Sequence, residues 1–376
     1  MAQIAIVLFV IAVLSGVLFA YPYVIYPALL RVLPHQPINK QPSDLSVSLL
    51  FCAFNEAGAL DAKLANLRAL KERVPQLQIL AFDDGSIDGT GEKLAQASDI
   101  LTMVAGEGRQ GKAAGMKRLA KLATGDILVF TDANVILEPD AIAKLIPYYG
   151  DPAVGGACGA LHYITDPASV TAEIGARYWS LDERLRSLES DSGNVMGADG
   201  SIFSIRRRLY PDFPDSVLDD FVVSLSVVFA GYRLVKAPDV VAFENSVAQP
   251  GEEFRRKIRI GTRAYHSHLW MRGDLRAMSV IDRFKYLSRK QLRWFGGAFV
   301  AVGAAAGLAG LALVAPVAAL VAALVGVAIV WLALRLERGP LAKAGDVLRA
   351  LAGTMIGVSR GMRGQTVQTW APATSR

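Results

Sequence analysis

Two stretches of this chain stay uncharged for long enough to cross a bilayer, and between them short apolar runs alternate with amphipathic ones. Residues 4–21 contain no Asp, Glu, Lys or Arg. As a helix they would reach roughly 27 Å, close to the thickness of a hydrocarbon core. Residues 294–334 are also uncharged, about twice the length one span requires. Pro316 falls near their middle, where a turn between two helices belongs. The pattern therefore predicts three spans, an N-terminal anchor in residues 1–34 and a hairpin in residues 294–335. No Lys or Arg precedes the first apolar run, while Arg31 and Lys40 follow it. That order favours a retained anchor over a cleaved signal peptide and puts the following chain in the cytoplasm. Arg289, Lys290 and Arg293 before the hairpin, and Arg335 and Arg338 after it, mark both flanks as cytoplasmic. The expected location is the cytoplasmic (inner) membrane, multi-pass, with the bulk of the chain on the cytoplasmic side. Residues 347–358 carry Arg349 and are too short to span. They read as an interfacial helix within a basic tail covering residues 336–376.

The segment between the spans, residues 42–290, reads as an α/β domain. Residues 46–52, 77–82, 100–104 and 127–130 are short apolar, β-rich runs. Residues 56–74 place Leu60, Leu64, Leu67 and Leu70 on one helical face, and 112–122 and 137–149 also read as helices. Continuous apolar strands joined by helices predict a mostly parallel, Rossmann-like sheet covered on both faces. Ligands in such sheets sit at the carboxyl ends of the strands. Asn55, the pair Asp83 and Asp84, and Asp132 all fall there. A turn explains any one of these, since Asp, Gly and Ser are turn-forming types, but not their joint placement.

Composition narrows the class. Hydrophobic residues make up 52% of the chain and charged ones 20%, which excludes disordered and coiled-coil proteins. The mean hydropathy of +0.33 agrees with part of the chain lying in lipid. A net charge of +6 is too mild to argue for nucleic acid, and it suits an anionic membrane face. Cys52 and Cys158 are the two cysteines, too few for a disulfide framework or a zinc site. Gly106, Gly108 and Gly111 imitate a dinucleotide fingerprint but follow the third strand, not the first. The same loop imitates a phosphate loop, yet Ala113 stands where that motif needs Ser or Thr. What remains is a flexible loop carrying Arg109 and Lys112 toward a phosphate.

Five short motifs occur in order: Cys52-Ala53-Phe54-Asn55-Glu56, Asp83-Asp84-Gly85-Ser86, Thr131-Asp132-Ala133-Asn134, Gly197-Ala198-Asp199-Gly200-Ser201 and Leu218-Asp219-Asp220-Phe221. With the membrane spans, this set resembles the inverting family 2 glycosyltransferases of GT-A fold. The likeness is to the membrane-bound branch related to cellulose, chitin and hyaluronan synthases, over roughly residues 45–270. It implies a nucleotide-sugar donor, with a UDP-sugar favoured. Asn55, Glu56, Asp83 and Asp84, with Ala53 beside them, match positions that hold the nucleobase and ribose. Carboxylates suit that task because ribose hydroxyls and a base N–H are donors.

Asp132 matches the first acid of the family's D-x-D motif, which implies Mg²⁺ or Mn²⁺ bound jointly with the donor phosphates. Asn134 replaces the second acid; its amide oxygen can ligate, and it would also suit a helix N-cap. Asp219 and Asp220 align with the family's Thr-Glu-Asp element, whose last acid is the proposed base. They would also suit the first turn of the helix expected over residues 221–230. Gly197, Ala198, Asp199 and Gly200 match the loop lining the acceptor side. Arg256 and Arg259 match the Q-x-x-R-W element, with Ile260 in place of Trp, and share a helix face from which both guanidiniums could clamp the diphosphate. A basic face resting on lipid headgroups is the plainer reading of that helix.

The resemblance thus implies transfer of a sugar to a lipid-linked or growing glycan acceptor. Three spans offer little to enclose a polymer channel, so export of a long polymer would call for an oligomer or a separate glycan export partner. Two other classes compete. One is a catalytically silent membrane scaffold, against which Asp132 and Asp220 count. The other is a GT-A-like sugar nucleotidyltransferase, whose Gly-rich basic first strand end is replaced here by Phe54-Asn55-Glu56.

Overall fold

The computed structural model describes residues 1–164, 170–245 and 249–369; residues 370–376 of the expected basic tail lie outside them. The chain opens with α1 (Ala2–Ala20) and a short α2 (Ile25–Leu30). There follow β1 (Val47–Ala53), α3 (Ala57–Arg73), β2 (Gln78–Asp83), α4 (Thr90–Gln96), β3 (Thr102–Ala105), α5 (Lys112–Leu122) and β4 (Ile127–Asp132). Next come β5 (Ile136–Leu137), α6 (Ala141–Leu145), β6 (Val154–Ile164), α7 (Val170–Asp191), β7 (Ile202–Arg206), α8 (Asp219–Phe229) and β8 (Arg233–Asn245). The chain then runs through α9 (Pro250–Trp270), α10 (Arg272–Ala277), α11 (Val280–Tyr286) and a π-helical turn, Leu287–Gln291. It ends with α12 (Leu292–Trp294), α13 (Gly296–Val314), α14 (Pro316–Arg335) and α15 (Pro340–Met362).

The eight strands form one sheet in the order β3-β2-β1-β4-β7-β6-β8-β5. The first four are parallel, as the apolar runs predict, and β7 enters antiparallel between β4 and β6. Alternation along β1 divides the core. Val47, Leu49, Phe51 and Ala53 join Leu60, Leu67 and Leu70 of α3 on one face, while Leu50 joins Met116 and Leu119 of α5 on the other. The register sets Ala53 beside Asp83 and Cys52 beside Asp132. The acids at the strand ends are thereby neighbours across one edge.

One expected helix is different. Residues 137–149 do not form a single helix: Pro139 and Asp140 break the run, leaving β5, α6 and a 3₁₀ turn over Ile146–Gly150. A proline ring removes a backbone donor and disfavours a helical residue before it. Asn134 therefore lies in the turn between β4 and β5 and caps no helix.

α1, α13 and α14 are long and apolar enough to cross a membrane. Pro316 starts α14, so the hairpin turns where the sequence suggested. Small residues let α1 approach α13: β-carbons placed on Gly303 and Gly310 would lie 3.2 Å from Ser15 and 3.1 Å from Phe9. α15 is longer than the expected interfacial helix and lies against α9. Gly353, Gly357 and Gly361, spaced one turn apart, meet Phe254, Ile258 and Thr262 there.

Candidate active site

The carboxyl ends of β1, β2 and β4 open into a cavity of about 550 Å³, closed on its other sides by α7, α8, α9, α12 and α15. Ala53, Glu56, Asp84, Arg109, Lys112, Asp132, Asn134, Ala198, Asp199, Gly200, Asp219, Asp220, Arg256 and Arg259 all line it. Asn55, Asp83 and Gly197 lie behind that lining and shape it.

Asn55 takes a left-handed backbone, φ +52°, immediately after β1. Its Oδ1 accepts from the Ile87 N–H at 3.0 Å, and its own N–H donates to Ser86 Oγ at 3.0 Å. The Glu56 N–H donates to Thr90 Oγ1 at 2.9 Å. Asp83 accepts the Ser86 N–H. These bonds fix the first two strand ends against each other.

Asp84 faces the glycine loop. Its Oδ1 accepts from the N–H groups of Gln110 at 2.6 Å and Gly111 at 3.0 Å, and Arg109 Nε lies 3.4 Å from Oδ2. Arg109 also stacks 3.4 Å from the centroid of Phe54. Gly108 and Gly111 turn at φ +86° and +89°, a conformation glycine takes at little cost. The loop is thus bound to a buried carboxylate. Residues 366–368 cross it: Thr366 donates to the Ser216 carbonyl at 2.6 Å, and the Gln368 carbonyl would lie 2.6 Å from a β-carbon on Gly111.

Opposite the loop, Lys112 Nζ donates to Asp132 Oδ1 at 2.5 Å. Gly200 supplies a common reference point: a β-carbon there would lie 2.9 Å from Lys112 Nζ, 3.5 Å from Asp220 Oδ2 and 3.6 Å from Asp132 Oδ2. Three charged groups from α5, β4 and α8 therefore converge around a residue with no side chain. Burial disfavours the Lys112 ammonium, yet Asp132, Asp219 and Asp220 outweigh it and hold the pKa above its usual value. Asp220 shows the opposite balance. Burial and then the adjacent Asp219 push it up to about 6, with Lys112 opposing them. Its Oδ1 accepts the N–H of the next residue, Phe221, at 2.6 Å, so one oxygen is held in the first turn of α8 and the other faces Gly200. Asp219 lies 3.8 Å from the buried Arg263.

The donors around Asp132 are hard oxygens. Among the described residues no group of three His, Cys, Asp or Glu side chains gathers into a closed cage. A divalent ion that keeps several waters and shares donor phosphates needs only one or two carboxylates, and Asp132 Oδ2 with the Asn134 amide oxygen fits that demand. Asn134 Nδ2 donates to Glu244 at 3.0 Å. Asp199 is occupied elsewhere: it pairs with the buried Arg186 and accepts the Ser201 N–H at 3.0 Å. Arg256 contacts Glu253 at 3.2 Å and the Tyr163 hydroxyl at 3.5 Å. Ile260 lines the cavity where the resemblance expects Trp, while Trp179 and Trp294 line it from α7 and α12.

Several site residues carry no local sequence signal. Lys63 and Asn66 sit on the apolar side of α3, and hold the turn after Asp132 through the carbonyls of Val135 and Leu137, each at 2.6 Å. Glu244 ends β8. Arg289 and Arg293, read as membrane-flanking charges, pair with the buried Asp182 at 2.9 and 2.8 Å, Arg289 itself buried and Arg293 half-buried, and Arg289 also pairs with Glu189.

Residues 48–213 match the family model described as Glycosyl transferase family 2. An N-acetylglucosaminyltransferase of Rhizobium leguminosarum bv. viciae is 24% identical over 229 residues, covering 56% of this chain and 53% of its own. A second, of Mesorhizobium japonicum, is 25% identical over 62% of this chain and 59% of its own. The chain thus spans between half and three fifths of those relatives. The O-antigen chain rhamnosyltransferase RfbN of Salmonella typhimurium is 24% identical over 58% of this chain and 72% of its own. Among solved structures, the mannosyltransferase PcManGT of Pyrobaculum calidifontis, in complex with GDP-Man and Mn²⁺, superposes with a TM-score of 0.71. That match covers 94% of this chain and 99% of that one at 22% identity, a likeness of fold.

Proposed function

Because residues 48–213 form a glycosyl transferase family 2 domain, we propose that the whole chain is a membrane-bound inverting glycosyltransferase. It moves a sugar from a nucleotide-sugar, a UDP-sugar foremost, to a lipid-linked or growing polysaccharide acceptor at the cytoplasmic face of the membrane. The observation that carries this reading is the convergence of Lys112, Asp132 and Asp220 around Gly200 inside one cavity.

In this reading Ala53, Asn55, Glu56 and Asp83 frame the nucleoside. Asp84 holds the glycine loop so that Arg109 and Lys112 meet the diphosphate, with Arg256 and Arg259 approaching from α9. Asp132 and Asn134 would hold Mg²⁺ or Mn²⁺ beside the donor phosphates, and the ion would neutralise charge on the departing diphosphate. The acceptor oxygen attacks the anomeric carbon from the face opposite the diphosphate. A carbon–oxygen bond to the acceptor forms as the bond to the phosphate oxygen breaks, and that electron pair leaves with the nucleoside diphosphate. Asp220 takes the hydroxyl proton on Oδ2. The Mn²⁺ and GDP-Man in the mannosyltransferase structure support a metal-dependent, nucleotide-sugar chemistry. Arg31, Arg335 and Arg338 at the ends of the spans support a cytoplasmic catalytic face.

The test is a panel of nucleotide-sugars with Mn²⁺ or Mg²⁺, scored for release of free nucleotide by the purified full chain. Release is expected with at least one donor, and loss of it in Asp132→Ala and Asp220→Asn. A silent panel, or release untouched by both substitutions, refutes the reading.

A further inference from the structure

Beyond Asp220 the cavity continues toward the membrane spans, and its chemistry changes. The wall there is aromatic and cationic: Tyr178, Trp179, Lys290, Arg293 and Trp294. Trp294 lies two residues before α13, and Tyr23 three residues after α1, so this end of the cavity opens where two spans end. Lys290 lies 3.5 Å from the β-carbon position of Gly197, and its ammonium stands 4.9 Å over the ring of Phe221, the residue after Asp220. Among the described residues it has no hydrogen bond and no ion pair. Its foremost charged neighbours are Arg289, Arg186 and Arg293 together with Asp182, an acid already shared among those three arginines. Lys290 is half-buried, and a partly desolvated cation without a counter-charge is costly, a cost that a ligand with negative charge relieves.

A second cavity, of about 140 Å³, adjoins the first and shares Tyr23, Tyr178, Asp182 and Arg293 with it. The rest of its lining is Pro22, Pro27, Leu181, Leu185 and Leu188, with two cations, Arg31 and Arg184, among them. Arg293 forms the partition, its guanidinium 5.5 Å from the ring of Tyr23 and 4.9 Å from that of Tyr178. An anion-seeking chamber therefore leads, past one arginine between two aromatic rings, to an apolar slot at the membrane boundary.

We infer that this is the acceptor port, built for a lipid bearing a phosphate or diphosphate, with the anionic group on Lys290 and Arg293 and the chain lying in the slot against Leu181 and Leu185. The inference rests on the transferase reading above and narrows its acceptor to an anionic lipid, whose sugar-accepting end would reach Asp220 past Phe221.

The experiment titrates the purified full chain in nanodiscs with a long-chain polyprenyl monophosphate, the parent polyprenol and inorganic phosphate, following fluorescence of the wall tryptophans. Nucleotide binding is measured separately by calorimetry. The polyprenyl phosphate should bind about tenfold or more tightly than either alternative, since a charge-assisted contact outweighs a neutral one. Lys290→Met should lose about tenfold in lipid-phosphate affinity, with nucleotide affinity unchanged, and Lys290→Arg should retain most of it. Leu185→Trp, which fills the slot, should weaken the long-chain lipid and spare inorganic phosphate. Equal binding of the polyprenol overturns the anionic requirement. Equal binding of inorganic phosphate overturns the lipid, and a Lys290→Met protein indistinguishable from wild type overturns the site. Lipid binding that persists where no nucleotide binds would sink the transferase reading and leave the port intact.

Discussion

The sharpest consequence of the site is a pH profile that belongs to one carboxylate. Burial and the neighbouring Asp219 raise Asp220 to about 6. A base must be ionised to accept a proton, so a raised pKa brings the acid limb of kcat/KM close to neutrality. At pH 7 about nine tenths of the molecules carry the ionised base, and at pH 5 about one tenth, by the ordinary titration curve. The rate should be flat above about pH 7 and fall tenfold per unit well below pH 6. Asp220→Asn removes the base and should cost about 10²–10⁴-fold in kcat/KM, which is about 3–5 kcal/mol of barrier. The residual rate should lose the limb. Asp219→Asn removes the second cause of the shift and should move the limb to lower pH, whereas Lys112→Met removes the opposing cation and should move it upward. Steady-state nucleotide release from about pH 4 to 8, roughly two units either side of the midpoint, reads all four proteins. An Asp220→Asn protein that keeps the limb in place, or loses less than tenfold, refutes the assignment.

Gly200→Ala would put a methyl 2.9 Å from Lys112 Nζ and between both acids; the flexible lysine can yield, so thermal unfolding should be unchanged while kcat falls about 10²-fold through misplacement of reacting groups. Asp84→Asn weakens the acceptor of two loop N–H groups and removes the partner of Arg109; KM for the donor should rise about tenfold with kcat little changed, read from initial rates. Arg289→Met strands the carboxylate of Glu189 in the interior and takes one of three arginines from Asp182; it should destabilise by about 3–5 kcal/mol, seen as a lower unfolding midpoint in detergent. Chelation of divalent cations should abolish turnover and Mn²⁺ or Mg²⁺ should restore it, with no restoration in Asp132→Ala, followed by nucleotide release.

The sheet and its ligand-facing edge were legible because parallel strands buried on both faces must be continuous apolar runs, and the first polar residue after each marks its end. Asn55, Asp83 and Asp132 are such residues. The hairpin was legible for a comparable reason, since no soluble pattern leaves forty residues uncharged around one proline. The failures share a cause as well. Residues 137–149 have helical spacing, but Pro139 acts through the backbone, which periodicity does not register. β7 is five residues long and is fixed by pairing with β4 and β6, remote in sequence. Arg289, Lys290 and Arg293 look the same in sequence whether they face headgroups or a buried acid. Only Asp182, more than a hundred residues away, decides between those fates.

That same distant pairing explains how the site holds its place relative to the spans. Asp199 on the Gly197–Gly200 loop pairs with Arg186; Arg186 pairs with Asp182; Asp182 pairs with Arg289 and Arg293, just before α13. Arg289 continues the chain to Glu189, whose other oxygen accepts the Tyr26 hydroxyl of α2 at 2.7 Å. Lys285 adds hydrogen bonds from α11 to the carbonyls of Glu189 and Ser192 at 2.9 and 3.0 Å. Apolar packing would stabilise these contacts equally well but would tolerate sliding, since dispersion has little directional preference. Buried charges do not slide: a shift of one partner leaves another uncompensated at a cost of several kcal/mol. The network therefore fixes α7 and the Gly197–Gly200 loop at a set height above α1 and α13. In the transferase reading proposed above, a sugar acceptor anchored in lipid would have to present its reacting hydroxyl at that height, and distance from the bilayer would become part of acceptor selection.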